Sequence, residues 1–263
     1  MKAGIIGCGF IGSELAQFID SSDDFKLIAL NDIDKNKTDE LKKQLKNNNP
    51  EFMEIDELIG CSEFIIESAK KDAIKKILEN ENLDKKNKKL LIMSTGGLID
   101  NLDLLKKIKN CEIILPSGAI CGLDAIKSAS GKITSLALRT TKSAKGLEGA
   151  PFIIKNNINL SGLKEKTIIF EGGLKDAVEG FPQNINVAAT LFLASQFDDI
   201  KIKIIADPDT KFNTHEIEAV GDFGIIKTTT QNLPSRNPKT SYLALLSAIN
   251  VLKEMKNKVK VGN

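Results

Sequence analysis

At 263 residues, with 41% hydrophobic and 27% charged residues, the chain has the make-up of a globular protein with one large domain or two modest ones. Its 37 basic and 35 acidic residues are interspersed and leave a net charge of +2, which removes the electrostatic case for binding nucleic acid or an anionic membrane. No apolar run approaches the roughly 20 residues of a spanning helix, no signal-peptide pattern opens the chain, and Cys8, Cys61, Cys111 and Cys121 lack metal-ligand spacing, so a cytoplasmic protein with reduced thiols and no metal is expected.

The chain begins with a short apolar strand that runs into Gly7-Cys8-Gly9-Phe10-Ile11-Gly12, three glycines at Gly-x-Gly-x-x-Gly spacing. Gly7 permits a tight turn, Gly9 lets the backbone approach a pyrophosphate, and Gly12 lets the following helix pack on the strand. The backbone N–H groups over Gly9-Phe10-Ile11 and the positive end of that helix then face phosphate oxygens. Ile11, Leu15, Phe18 and Ile19 share one helix face, and a second strand, Leu27 to Leu30, ends in Asn31-Asp32. Asp32 lies about 20 residues past Gly12, where an acid that holds the adenosine ribose is expected. A tight strand–helix turn with no ligand is the alternative, and the complete pattern argues against it. Cys8 inside this loop, like Cys121 further on, is either a redox-sensitive thiol near cofactor or, more simply, a small buried filler.

Asn36 to Lys46 reads as an exposed, lysine-rich helix, and Glu54 to Ile59 as a helical turn. Phe64-Ile65-Ile66 is a continuous apolar run, as a strand covered on both faces should be. A helix is expected from Lys71 to Glu79, a strand at Leu90 to Met93, helix from Asn101 to Lys109, and a last strand at Glu112 to Leu115 before Pro116. Alternating strands and helices predict a parallel, doubly wound sheet over 1–116, the dinucleotide-binding Rossmann domain. Its ligands belong beyond the carboxyl ends of the strands, where Asp32, Glu67-Ser68, Ser94-Thr95-Gly96 and Ser117-Gly118 fall.

After Pro116 strands follow one another with fewer crossover helices: Lys132–Thr141, Lys166–Phe170, Ile200–Ala206, His215–Val220 and Ile225–Thr230. This predicts a mostly antiparallel α+β domain over 117–239, interrupted by helices at Gly173–Glu179 and Asn184–Ser195. A C-terminal helix within 240–263 is expected to pack back on the first domain. Ser117-Gly118-Ala119-Ile120-Cys121-Gly122-Leu123-Asp124 leaves the last parallel strand as either a ligand-contacting loop or a plain hinge, with Cys121 a buried filler. In Phe181 to Thr190, Asn184 suits a helix N-cap, whereas the amide of Asn186 can serve a carboxamide or a substrate oxygen. His215, the one histidine in the chain, shares a strand face with Ile217 and Ala219. It is either a core residue or the group that moves protons beside a hydride acceptor. Arg139 and Lys142 are candidates to pair with substrate carboxylates, or else a solvated surface pair.

Together, Gly7 to Gly12, Ser117-Gly118-Ala119-Ile120, Phe181 to Thr190, Asn213-Thr214-His215-Glu216-Ile217 and Asn237-Pro238-Lys239-Thr240-Ser241-Tyr242-Leu243 resemble the L-aspartate dehydrogenase family, across nearly the whole chain and in the right order. The chain departs from that pattern at Lys70 and Cys121. The resemblance implies a Rossmann domain followed by a sheet domain through which a homodimer forms. It implies oxidative deamination of L-aspartate to oxaloacetate and ammonia through iminoaspartate with NAD, or with NADP, and a link to NAD biosynthesis. It also implies His215 as the catalytic histidine and Ala119 and Asn186 as contacts near nicotinamide. The alternatives are a related two-domain oxidoreductase of the homoserine dehydrogenase or dihydrodipicolinate reductase type, or a catalytically silent NAD-binding protein. Asp32, with Asp34 beside it and no arginine in this half of the chain, predicts NAD over NADP, although Lys35 and Lys37 can reach a phosphate.

Overall fold

The computed structural model describes residues 1–182, 184–236, 240–259 and 261. By contacts the chain divides into two units, Met1–Pro116 and Ser117–Asn263.

In the first unit the order is β1 (Lys2–Ile6), α1 (Phe10–Asp20), β2 (Lys26–Asn31), α2 (Lys35–Gln44), β3 (Glu51–Phe52), α3 (Ile55–Cys61), β4 (Phe64–Glu67), α4 (Asp72–Leu78), β5 (Lys89–Ile92), α5 (Gly96–Ile99), α6 (Leu102–Leu105) and β6 (Glu112–Ile114). The strands form a parallel six-stranded sheet in the order β3-β2-β1-β4-β5-β6. Ala3, Ile5, Ile6, Phe64, Ile65, Ile66 and Leu90 to Ile92 are all buried, as strands covered on both faces require. The chain order reverses between β1 and β4, which opens the crevice where such sheets take ligands.

One local expectation changes, and one short strand goes unforeseen. The helix expected over Asn101 to Lys109 is only the single turn α6; another turn, α5, precedes it, and the Asn101 side-chain amide between them donates to the Gly97 carbonyl. That local bond competes with a continuous helical ladder. β3, only two residues long, pairs with Ala29 and Leu30 and is too short to show any alternation.

The second unit runs α7 (Leu123–Ser128), β7 (Ile133–Lys142), α8 (Ala144–Leu147), α9 (Pro151–Lys155), β8 (Thr167–Gly172), α10 (Leu174–Gly180), α11 (Asn186–Ser195), β9 (Ile200–Ala206), β10 (Asn213–Gly221), β11 (Gly224–Asn232) and α12 (Tyr242–Glu254). Its five-stranded sheet has the order β11-β10-β7-β9-β8, antiparallel throughout except for the parallel pair β7 and β9. Leu136, Leu138, Ile202, Ile204, Ile217 and Ala219 line the buried face. Phe152, Phe170 and Phe181 meet there with ring centroids 5.3 to 5.5 Å apart, fixing α9 and the chain before α11 against β8. The terminal helix, which the sequence pattern sets apart as its own segment, groups with the second unit. Among the described residues no helix is long and apolar enough to cross a membrane.

One buried carboxylate holds the far end of the first unit. Asp20, the last residue of α1, accepts hydrogen bonds from the backbone N–H groups of Lys46, Asn47 and Asn48 and from the Asn48 amide, at 2.7 to 3.2 Å. Burial raises its pKa, but these donors outweigh it and hold the carboxyl below the ordinary value. A carboxyl so depressed contributes stability above its unfolded-state pKa and loses it as pH falls through the folded one. Asp20→Ala should therefore lower unfolding stability by about 2 kcal/mol at neutral pH in urea titrations, with a smaller deficit in acid.

Candidate functional site

The glycine loop separates what the protein needs from what a ligand needs. A Cβ on Gly7, whose φ is +95°, would sit 2.5 Å from the Ala69 nitrogen, and one on Gly12 would collide with the Gly7 carbonyl oxygen. Both glycines are therefore required by the fold itself. A Cβ on Gly9 would meet no protein atom within 4 Å. The space over Gly9 is open, and the residues around it suit a pyrophosphate. Gly9 precedes α1 with no side-chain cap, so the first N–H groups, including those of Phe10 and Ile11, are presented in that direction.

Asp32 is drawn to this loop. Its Oδ2 accepts from the Cys8 N–H at 2.7 Å and its Oδ1 from the Asp34 N–H at 2.9 Å, so the carboxylate is oriented by backbone and keeps lone pairs for ribose hydroxyls. Cys8 is buried and its thiol is pushed up to about 12, first by burial and then by the Asp32 charge, which makes it an inert filler. Cys121, expected to be buried, is exposed: it lies in an open turn rather than under a helix.

Glu67, at the end of β4, is one of the strand-end residues expected beside ligand, and its bonds are to the protein's own loops. Its fully buried carboxylate accepts from the N–H groups of Ala69 at 2.8 Å and Ser94 at 2.9 Å. Burial raises its pKa above the ordinary range despite those bonds. It ties together the loops after β4 and β5, while the Ser68 hydroxyl donates to the Gly7 carbonyl at 2.8 Å. The signal was an acid ending an otherwise apolar buried strand.

In the second unit His215 and Lys142, with Thr140 between them, lie on the buried face of the sheet. His215 on β10 stands opposite Thr140 of β7 on one side and Thr230 of β11 on the other. The His215 Nδ1 and Thr140 Oγ1 atoms are 3.1 Å apart. Lys142 follows two residues after Thr140 on the same face, and its ammonium donates to the Asn184 side-chain oxygen at 2.6 Å. Burial, reinforced by the Lys142 charge, lowers the His215 pKa to about 3, so the imidazole is neutral at physiological pH. Thr230 in turn donates to the Ala119 carbonyl at 2.8 Å, and the Asn232 amide donates to the same oxygen at 2.9 Å. The loop that carries Ala119 is thereby anchored beside His215, with Gly118 held by a bond from its N–H to the Ser247 hydroxyl.

Asn184 is not the cap of α11: the helix starts at Asn186, and the Asn184 side chain turns to Lys142 instead. Asn186 is the exposed first residue of that helix. Arg139 is not brought to the site. It is exposed on the opposite face of β7, where it stands in register with Glu216 and Lys203, because residues three apart on a strand point to opposite sides. Asn213 reaches the Ser241 hydroxyl at 3.4 Å, which joins two of the motifs noted in the sequence. Gln183 and Asn237-Pro238-Lys239, parts of those motifs, lie outside the described residues. Among the described residues no cluster of His, Cys, Asp and Glu is placed to hold a metal ion.

Residues 124–255 match the family model "Aspartate dehydrogenase, C-terminal", and residues 1–127 match "D-isomer specific 2-hydroxyacid dehydrogenase, NAD binding domain". The chain is 43% identical to the L-aspartate dehydrogenase of Methanosarcina mazei, over 100% of this chain and 99% of that one, and 40% identical to that of Nitrosopumilus maritimus, over 96% of each. The crystal structure of aspartate dehydrogenase from Thermotoga maritima superposes with a TM-score of 0.76 at 25% identity, covering 100% of this chain and 99% of that one. An NAD-binding Rossmann unit, followed by a sheet unit of this build over the full length of such relatives, places the chain in the L-aspartate dehydrogenase family.

Proposed function

We propose that the protein oxidises L-aspartate with NAD and water, giving oxaloacetate, ammonium, NADH and a proton, by way of iminoaspartate. The observation that carries this reading is the buried row on one sheet face, a neutral imidazole at His215 with the Lys142 ammonium beside it. A dianionic substrate needs a desolvated cation, and loss of its amine needs a base that is unprotonated at neutral pH.

The glycine loop and Asp32 take the pyrophosphate and adenosine ribose. Asn186 and the backbone of residue 119 take the nicotinamide end. The Ala119 carbonyl already accepts two hydrogen bonds, so its N–H is the group offered to a ligand. Bound nicotinamide supplies the acceptor for the hydride from the aspartate α-carbon. Lys142 pairs with a substrate carboxylate, held in place by Asn184. His215 takes the proton released as the amine becomes an imine, and then assists water in attacking it. The substrate's negative charge strengthens His215 as a base by offsetting the Lys142 field. Arg139, on the other face, has no part in this scheme.

The same reading extends to a homodimer through the outward sheet face, where Ile168 and Ile225 are 55% and 63% exposed, to a cytoplasmic setting, and to supply of iminoaspartate for NAD biosynthesis.

Oxidation of NADH in the presence of oxaloacetate and ammonium tests the activity, with aspartate semialdehyde and dihydrodipicolinate as control substrates. No rate dependent on oxaloacetate and ammonium would overturn the assignment. His215→Ala should lower kcat by about 100-fold or more while leaving NADH affinity close to wild type. Lys142→Met should raise KM for aspartate by roughly 10- to 100-fold, the scale of losing a charge-assisted bond, whereas Arg139→Met should leave it within about 2-fold. For the cofactor, kcat/KM should favour NAD over NADP by roughly 5- to 30-fold, and Asp32→Ala should shrink that ratio. An unchanged ratio in Asp32→Ala would remove Asp32 from the account.

A further inference from the structure

Thr140 stands where the sheet face changes from hydrocarbon, at Leu136, Leu138, Ile202 and Ile204, to polar groups. Its inward neighbours along β7 are Leu138 on one side and Lys142 on the other, and its partner on β9 is Ile204. Valine has nearly the shape of threonine and higher affinity for such a position, so a hydroxyl buried here is unfavourable unless it is bonded. The bond it makes is to His215, across the register pair of β7 and β10, with 4% of Thr140 and 2% of His215 exposed.

A neutral imidazole carries one proton on one of two nitrogens, and its partner decides which. If the Thr140 hydroxyl donates to Nδ1, the proton is on Nε2 and the ring offers substrate a donor. If Nδ1–H donates to the Thr140 oxygen, Nε2 keeps its lone pair and the ring is a base. Lys142 is the charged group on β7 that bears on His215. The facing positions on β11 and β9 are Thr230 and isoleucines, and Asn184 is also uncharged, so these do not set the ring's charge.

We propose that Thr140 is the positioning residue of the reaction: it accepts the Nδ1 proton of His215, fixes the ring plane, and leaves Nε2 as the proton acceptor. This rests on His215 being the base. No bond to substrate is required of Thr140.

The single histidine makes the proposal directly measurable, because protein labelled with ¹⁵N-histidine reports one imidazole. At neutral pH the ¹⁵N shifts of the wild type should show a protonated Nδ1 and an unprotonated Nε2. Thr140→Val should move the ring toward the Nε2–H form that free histidine prefers. It should lower kcat by about 10-fold or more, with KM for aspartate and NADH affinity within about 3-fold, and shift the acid limb of the kcat–pH profile. Thr140→Ser, which restores the hydroxyl, should return kcat to within about 3-fold of wild type and restore the tautomer. A wild-type ring protonated on Nε2 overturns the proposal, as does a folded Thr140→Val that retains wild-type kcat and tautomer. Equal loss of kcat in the serine and valine variants also overturns it, since that pattern reports packing. If His215→Ala is itself active, the reading of His215 fails; if only the Thr140 variants are silent, His215 stands and Thr140 does not.

Discussion

Holding an ammonium and an imidazole side by side on a buried sheet face is unfavourable, and the second unit is arranged around that constraint. Two such groups repel when both are charged, and each loses water. The chain resolves the conflict by keeping His215 neutral and by giving each group a polar partner, Thr140 for the ring and Asn184 for Lys142. The partners come from different elements, which is why β7, β10 and the segment before α11 must be assembled before the pair can exist. The outcome is a neutral imidazole beside a fixed cation.

The first unit meets a different requirement. Its parallel sheet buries both faces, so polar groups of the chain collect at the strand ends. There the backbone does most of the work. Asp32 is oriented by two N–H groups, Glu67 gathers the loops after β4 and β5, and Gly7 is held close against the β4 loop. Against that packed background Gly9 stands apart as a glycine that no neighbouring protein atom demands. The space over Gly9 stays open inside an otherwise close-fitting loop.

Two buried acids of the first unit are used differently. Asp20 is ionised and structural, with its carboxylate filled by a loop remote from the glycine motif in sequence. Glu67 is pushed toward its neutral form by complete burial. Neither needs a counter-ion, because backbone N–H groups serve in place of one.

What the sequence determined by itself is whatever depends on local spacing. The glycine spacing, the acid ending the second strand and the alternation around His215 each follow from a period of two or 3.6 and from turn geometry, and these carried the Rossmann unit and the inward place of His215. The same alternation along Leu136, Leu138, Thr140 and Lys142 was legible and already separates Arg139 from Lys142, yet charge alone suggested pairing them. Partnership across elements was not legible. That Asn184 serves Lys142 rather than capping α11, that Thr230 and Asn232 grip Ala119, and that Asn101 bonds Gly97 between two short turns depend on residues distant in the chain or on one side-chain bond. Only the tertiary structure decided these, because a buried polar group takes whichever partner the packed fold brings within hydrogen-bond distance, and no periodicity records that choice.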